Sequence, residues 1–146
     1  MFLGEFEHSI DDKGRLTIPA RFRDELESGI VMTRGLDGCL WAYPRSEWET
    51  MTEKILKELP SNTPAGRNFA RFFFSSAVDS IPDRQGRVLI PQNLRTYADI
   101  QNETVVIGVM NRVEIWSPVR WAETFAKIEE DPEAIAAQLH ELGIVF

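Results

Sequence analysis

The segment from Asp11 to Arg23, DDKGRLTIPARFR, returns between Asp83 and Arg95 as DRQGRVLIPQNLR. Six of the thirteen positions are identical, and Leu16/Val88 and Phe22/Leu94 are apolar in both copies, so an inside-outside pattern is preserved along with the letters. The register continues through Gly35/Gly108, Leu40/Val113, Tyr43/Trp116 and Trp48/Trp121, each pair 73 apart where the motif pairs are 72 apart. Such self-similarity at a fixed period marks a duplication. The expected units are residues 1–75 and 76–146, packed together as one compact pseudo-twofold body.

One unit reads as follows. Glu5 to Ile10 alternates as a half-buried strand does, and Asp11 to Gly14 is a turn. Asp accepts a backbone hydrogen bond two residues on, and Gly takes a positive φ without steric cost, so Asp-x-x-Gly suits a tight connection between strands. Arg15 to Ile18 resumes a strand. Pro19, lacking an N–H, suits a helix start, which predicts a short helix to about Ser28 with Phe22 and Leu26 facing inward. Ile30 to Arg34 and Cys39 to Tyr43 follow as strands, and the second unit repeats the order with its helix at Pro91 and strands near Glu103 to Val109 and Val113 to Ser117. Helices follow each unit. Trp48, Met51, Ile55, Leu56 and Leu59 recur at helical period, as do Ala65, Phe69, Phe72 and Phe73; Trp121, Phe125 and Ile128, then Ile135, Leu139 and Leu142, form two more stripes on either side of Asp131-Pro132. These stripes are expected to be core. No Pro/Gly/Ser-rich linker divides the chain.

Composition narrows the function classes. The 146 residues are 43% hydrophobic and 27% charged, which suits a globular chain. The apolar runs are too short to span a bilayer, and the Met1-Phe2-Leu3-Gly4-Glu5 start lacks a basic segment before an apolar one, so a cytoplasmic location is expected and a membrane partner is not. A lone Cys39 excludes an intramolecular disulfide. His8, His140 and Cys39 lack metal-ligand spacing, which leaves no metal site expected. No Cys-His or Ser-His pairing and no Gly-rich phosphate loop is recognisable, so neither a catalytic site, a cofactor nor a small-molecule substrate is expected. The paired carboxylates Asp11-Asp12 diverge in a turn and are weak candidates for acid-base chemistry. Trp41, Trp48, Trp116 and Trp121 lie in or beside apolar patterns, which favours packing over base stacking.

An Asp-x-x-Gly-Arg turn with Ile-Pro three residues on, present twice in a chain of this size, resembles the MraZ family of bacterial transcriptional regulators. The likeness covers the Met-Phe-Leu-Gly start, Ser9 to Arg15, Ile18-Pro19, the Phe-rich helix before Ala77, and Asp83 to Pro91. It implies an α+β fold of duplicated βαββ units forming a pseudodimeric AbrB-like swapped-hairpin, double-split β-barrel with flanking helices. It also implies assembly into a closed ring, an octamer or larger, acting on the promoter of the division and cell-wall gene cluster at short G-rich direct repeats. The family's Asp-x-x-x-Arg signature falls on Asp11/Arg15 and Asp83/Arg87. The two turns differ, Asp12-Lys13 against Arg84-Gln85, so the copies are not expected to touch DNA equivalently.

Strand alternation gives those arginines a physical role. If Leu16 and Ile18 point into the core, Arg15 and Thr17 point away from it, and Arg87 and Leu89 do likewise. A guanidinium on a stiff turn offers paired donors that match O6 and N7 of guanine. Arg15 and Arg87 are therefore the expected base readers on double-stranded promoter DNA, with Lys13, Arg84, Arg21 and Arg23 assigned to phosphate. Arg21, Arg23 and Arg95 could equally pair with Asp24, Glu25 or a neighbouring subunit. Asp11, Gly14, Asp83 and Gly86 support the motif. The competing function is a protein-binding module anchored to DNA, such as an antitoxin; an enzyme ranks third.

The net charge of -7 speaks against DNA only until it is resolved along the chain. Residues 13–23 carry +4 and residues 84–95 carry +3 with no acid in either, whereas residues 120–146 carry -4. Basic groups gather at the repeated turns and acids on the helices.

Overall fold

Local signals set the elements in the computed structural model, which describes residues 1–145. In chain order they are β1 (Phe2–Ser9), β2 (Arg15–Thr17), a 3-10 turn (Ala20–Phe22) running into α1 (Arg23–Leu26), β3 (Ile30–Arg34), β4 (Leu40–Pro44), α2 (Arg45–Glu58) and α3 (Pro64–Phe74). The second half supplies β5 (Val78–Ser80), β6 (Arg87–Leu89), α4 (Gln92–Ala98), β7 (Glu103–Met110), β8 (Arg112–Trp116), α5 (Pro118–Glu130) and α6 (Pro132–Glu141). Thr63, Ser117 and Asp131 cap α3, α5 and α6, each accepting a backbone N–H three residues on with a proline at the helix start. The helix expected from Pro19 to Ser28 is instead a 3-10 turn and four α-helical residues; Phe22 and Leu26 face inward as expected, each 1% exposed.

The two halves exchange strands. The main antiparallel sheet has the order β1-β7-β8-β4-β3-β5, and β2 pairs with β6 in a separate two-stranded ribbon. Thus β1 of the first half lies on β7 of the second, and β5 of the second lies on β3 of the first. The register is symmetric about two rungs, Trp41↔Glu114 between β4 and β8 and Leu16↔Val88 in the ribbon, and both join residues equivalent under the repeat. A pseudo-twofold relation therefore runs through both sheets. The symmetry breaks at the first of these rungs. Buried Glu114 accepts hydrogen bonds from Arg112 and from Trp116 Nε1, and the Arg112 guanidinium covers the Trp41 ring at 4.5 Å.

Two features of the fold differ from expectation. The strands do not close into a single barrel: β1 and β5 are the edges of an open sheet, and β2 reaches that sheet only through an isolated Ile10–Leu16 bridge. Strands of three residues spend their ladder on each other, which leaves nothing to close the ring of hydrogen bonds. The helical stripes, in turn, are not all core. No residue of α2, α5 or α6 is buried, and Leu56, Phe125, Ile128, Ile135 and Leu142 are exposed. Periodicity reports an apolar face, and here much of that face is uncovered.

The main core lies between the sheet and the ribbon, where Phe2, Leu16, Phe22, Leu40, Val88, Leu94 and Ile115 are buried together. On the opposite face Trp48 stacks on Phe73 at 5.4 Å and Phe73 on Phe69 at 5.5 Å, while Trp116, Trp121 and Phe125 form a second aromatic run. The tryptophans pack there, away from the turns. Phe22 meets both Phe2 and Phe6 edge to face at 5.2 Å. Phe22→Ala is expected to cost about 3–5 kcal/mol in urea unfolding, the range for emptying an aromatic site in a well-packed core.

Candidate nucleic-acid interface

Each turn is closed by one carboxylate. Asp11 Oδ1 accepts the backbone N–H groups of Lys13 at 3.0 Å and Arg15 at 2.8 Å, and its Oδ2 accepts Arg15 Nε at 2.7 Å. Asp83 repeats the pattern with Gln85 at 3.0 Å, Arg87 at 2.9 Å and Arg87 Nε at 2.8 Å. These bonds hold both carboxyl groups below their ordinary pKa of 3.8, chiefly through the backbone N–H of Arg15 or Arg87, with burial opposing and the arginine side chain adding to the effect. In the same geometry each guanidinium is committed through Nε, while its Nη nitrogens make no hydrogen bond among the described residues. The two side chains remain 31% and 28% exposed.

The backbone of each turn calls for its glycine, and an arginine packs against it. Gly14 has φ 84° and Gly86 has φ 74°, where other residues are strained. A Cβ on Gly14 would lie 3.0 Å from the Arg95 guanidinium, and one on Gly86 2.7 Å from Arg23 Nε. Arg23 Nε donates to the Ile18 carbonyl and Arg95 Nε to that of Ile90, both at 2.9 Å. The helix arginine of each half thus braces the turn of the other. Arg23, assigned to phosphate in the sequence reading, is placed here as a half-buried brace with Nε engaged, and so is Arg95. The signal that could have separated these two from Arg21 was their repeat equivalence, since Arg21 aligns with Asn93. No ion pair joins Arg23 or Arg95 to Asp24 or Glu25 among the described residues, and Glu25 instead holds the Met1 amine at 2.8 Å.

The halves are tied directly as well. Ile18 N–H donates to the Gly86 carbonyl at 2.8 Å and Ile90 N–H to that of Gly14 at 2.9 Å. With Leu16 and Val88 buried, alternation puts Arg15, Thr17, Arg87 and Leu89 on the outward face of the ribbon. Arg15 lies across from Leu89 and Thr17 across from Arg87, so the two arginines are diagonal neighbours, about 7–8 Å apart. Lys13, Arg84 and Arg21 are exposed, the first two on the turns themselves. The ribbon thus sets Arg15 and Arg87 on one face, with Lys13 and Arg84 on the turns at its two opposite ends.

Other chemistry finds little support. Burial pushes the Cys39 thiol far above its ordinary pKa, which denies it a thiolate role. Among the described residues no group of three His, Cys, Asp or Glu side chains could hold a metal ion, and no helix is long and apolar enough to cross a membrane.

The depressed carboxyl pKa values fix a pH response. Bracing by Asp11 and Asp83 is fully present above pH 3.8 and is lost as the pH falls through their lowered folded values. The paired substitution Asp11→Asn, Asp83→Asn is expected to lower stability at neutral pH and to flatten its fall in acid, measured by urea midpoints between about pH 2 and pH 5.

Comparison with known proteins shows the family. The MraZ family model, described as "MraZ protein, putative antitoxin-like", matches residues 1–72 and again 73–141. The chain is 54% identical over 144 residues to a transcriptional regulator MraZ of Pediococcus pentosaceus, covering 99% of this chain and 100% of that one. It is 51% identical to proteins of the same name from Halothermothrix orenii, covering 99% and 100%, and Pelotomaculum thermopropionicum, covering 99% of each. Two family matches, one for each half of a strand-exchanged duplication, together with full-length relatives at this identity, place the chain in the MraZ family.

Proposed function

We propose that the chain is a non-enzymatic, sequence-specific DNA-binding transcriptional regulator that docks the outward face of the β2–β6 ribbon into the major groove of promoter DNA. The observation that carries this reading is the pair of outward arginines, each locked by an aspartate through Nε with its Nη nitrogens left over. A two-stranded ribbon fits a groove about 12 Å wide, and a guanidinium pairs with guanine O6 and N7. Arg15 and Arg87 read bases. Lys13, Arg84 and Arg21 take phosphates, and Arg23 reaches a phosphate only with what its bracing role leaves free. The relatives, named as transcriptional regulators, support regulation of transcription.

The finer features come from the family likeness. They are the swapped-hairpin arrangement of two AbrB-like units, 1–75 and 76–146, action as a repressor at G-rich direct repeats before the division and cell-wall genes, and residence on the nucleoid in the cytoplasm. Ring assembly, as an octamer or larger, has a physical basis in the uncovered apolar residues of α5 and α6. A heterologous contact, in which those helices of one copy meet α2 and α3 of the next, closes a ring when the rotation allows. Ring assembly also answers the acidic total, since one ribbon binds weakly and repeated sites engaged together gain about two to four orders of magnitude. The family's antitoxin-like description favours one rival, a small protein partner on the exposed face of α6; a stoichiometric partner that copurifies would establish it.

Arg15→Ala and Arg87→Ala are each expected to abolish discrimination between promoter and scrambled duplex in a mobility-shift titration, with secondary structure unchanged. Lys13→Ala should weaken both duplexes alike and reduce the salt slope by about 1. Undiminished promoter affinity in Arg15→Ala would sink the base-reading role. Phe125→Glu with Ile128→Glu should yield smaller species in light scattering and reduce promoter affinity about 10²–10⁴-fold.

A further inference from the structure

The outward face of the ribbon carries one apolar side chain among polar ones. Leu89 is 52% exposed, although its neighbours Val88 and Ile90 are 3% and 0% exposed. A single surface leucine is ordinary, but the position of this one is not. It lies directly across from Arg15, and the equivalent residue of the other half is Thr17, across from Arg87. The bonds from Ile18 to Gly86 and from Ile90 to Gly14 fix the even-numbered rungs as the hydrogen-bonded ones. Arg15–Leu89 and Thr17–Arg87 are therefore the other kind of rung, in which opposed side chains stand closest, with Cβ atoms about 4.5–5.5 Å apart. Leu89 cannot withdraw from this face, because alternation on a strand between two buried residues holds it outward.

We propose that Leu89 is a specificity-determining residue that packs on the C5-methyl group of a thymine adjoining the guanine contacted by Arg15; this rests on the DNA-binding reading above. In the major groove the methyl of thymine is the apolar feature that marks one base pair from another. Successive bases on one strand are about 3.4 Å apart along the axis, a spacing that an Arg–Leu pair at cross-strand distance spans. Thr17 offers a hydroxyl and a smaller methyl beside Arg87. The two halves of the ribbon therefore recognise different neighbours of their guanines, and the pseudo-twofold protein reads a site without twofold symmetry.

The test uses the full chain and a promoter duplex from upstream of its own coding sequence, with thymines replaced one at a time by uracil, which removes the methyl and leaves the pairing edge intact. Wild-type protein is expected to lose on the order of three- to tenfold in affinity at a thymine next to a contacted guanine, the worth of one buried methyl group. Leu89→Ala, a truncation at an exposed position, should bind the thymine and uracil forms of that duplex equally, and should match wild type on the uracil form. Wild-type binding that is indifferent to uracil at every position overturns the proposal, as does a Leu89→Ala protein that keeps the discrimination. If wild type shifts no promoter duplex at all, the DNA-binding reading fails instead.

Discussion

Two aspartates hold the outward face of the β2–β6 ribbon in place. Asp11 and Asp83 each gather two backbone N–H groups and one arginine Nε. An acid four residues before an arginine proposed to read DNA looks wrong by charge, since it repels phosphate. Its effect is geometric: it closes the turn and fixes the plane of the guanidinium before any ligand arrives. A free arginine side chain loses about 0.5–1.5 kcal/mol of rotamer freedom when it is immobilised in a complex. Here much of that ordering is already done in the unbound protein.

The same turns depend on the exchange between halves. Arg23 braces Gly86 and Arg95 braces Gly14, while the Ile18 and Ile90 N–H groups cross to the opposite turn. Each turn is closed by its own aspartate and packed against the other half. One duplicated chain therefore carries what two separate copies would have to assemble, and the 72-residue offset of the motif fixes Leu16↔Val88 as the axis rung. Because the copies have diverged, with Lys13 against Gln85, Asp12 against Arg84 and Thr17 against Leu89, the symmetry is one of backbone and not of surface chemistry.

Much of this was legible in the sequence. The duplication, the order of elements, the turn chemistry of Asp-x-x-Gly and the inward set Leu16, Ile18, Phe22 and Val88 all follow from local pattern, because a turn residue or an alternating strand carries its reason within a few positions. Strand exchange was not legible in the residues: β1 has the same alternation whether it pairs with its own half or with the other. Nor was the fate of the apolar stripes, because a periodic face says that something covers it and not what. The bracing role of Arg23 and Arg95 escaped for a related reason. A half-buried arginine bonded to a carbonyl and an exposed one facing phosphate are spelled alike. The net charge of -7 became informative only once it was resolved along the chain, because Lys13, Arg15, Arg84 and Arg87 lie on the ribbon and its turns while α5 and α6 carry an excess of acid.

In the proposed complex Arg15 and Arg87 contact guanine directly from a preset geometry. The most direct measurement is a double-mutant cycle between protein and DNA, pairing Arg15→Ala with replacement of a single promoter guanine by 7-deazaguanine, which removes the N7 acceptor. Direct contact gives a coupling of about 1–3 kcal/mol at one guanine, with the base change costing nothing further once the arginine is gone. Additive losses at every guanine, with no coupling, would contradict it.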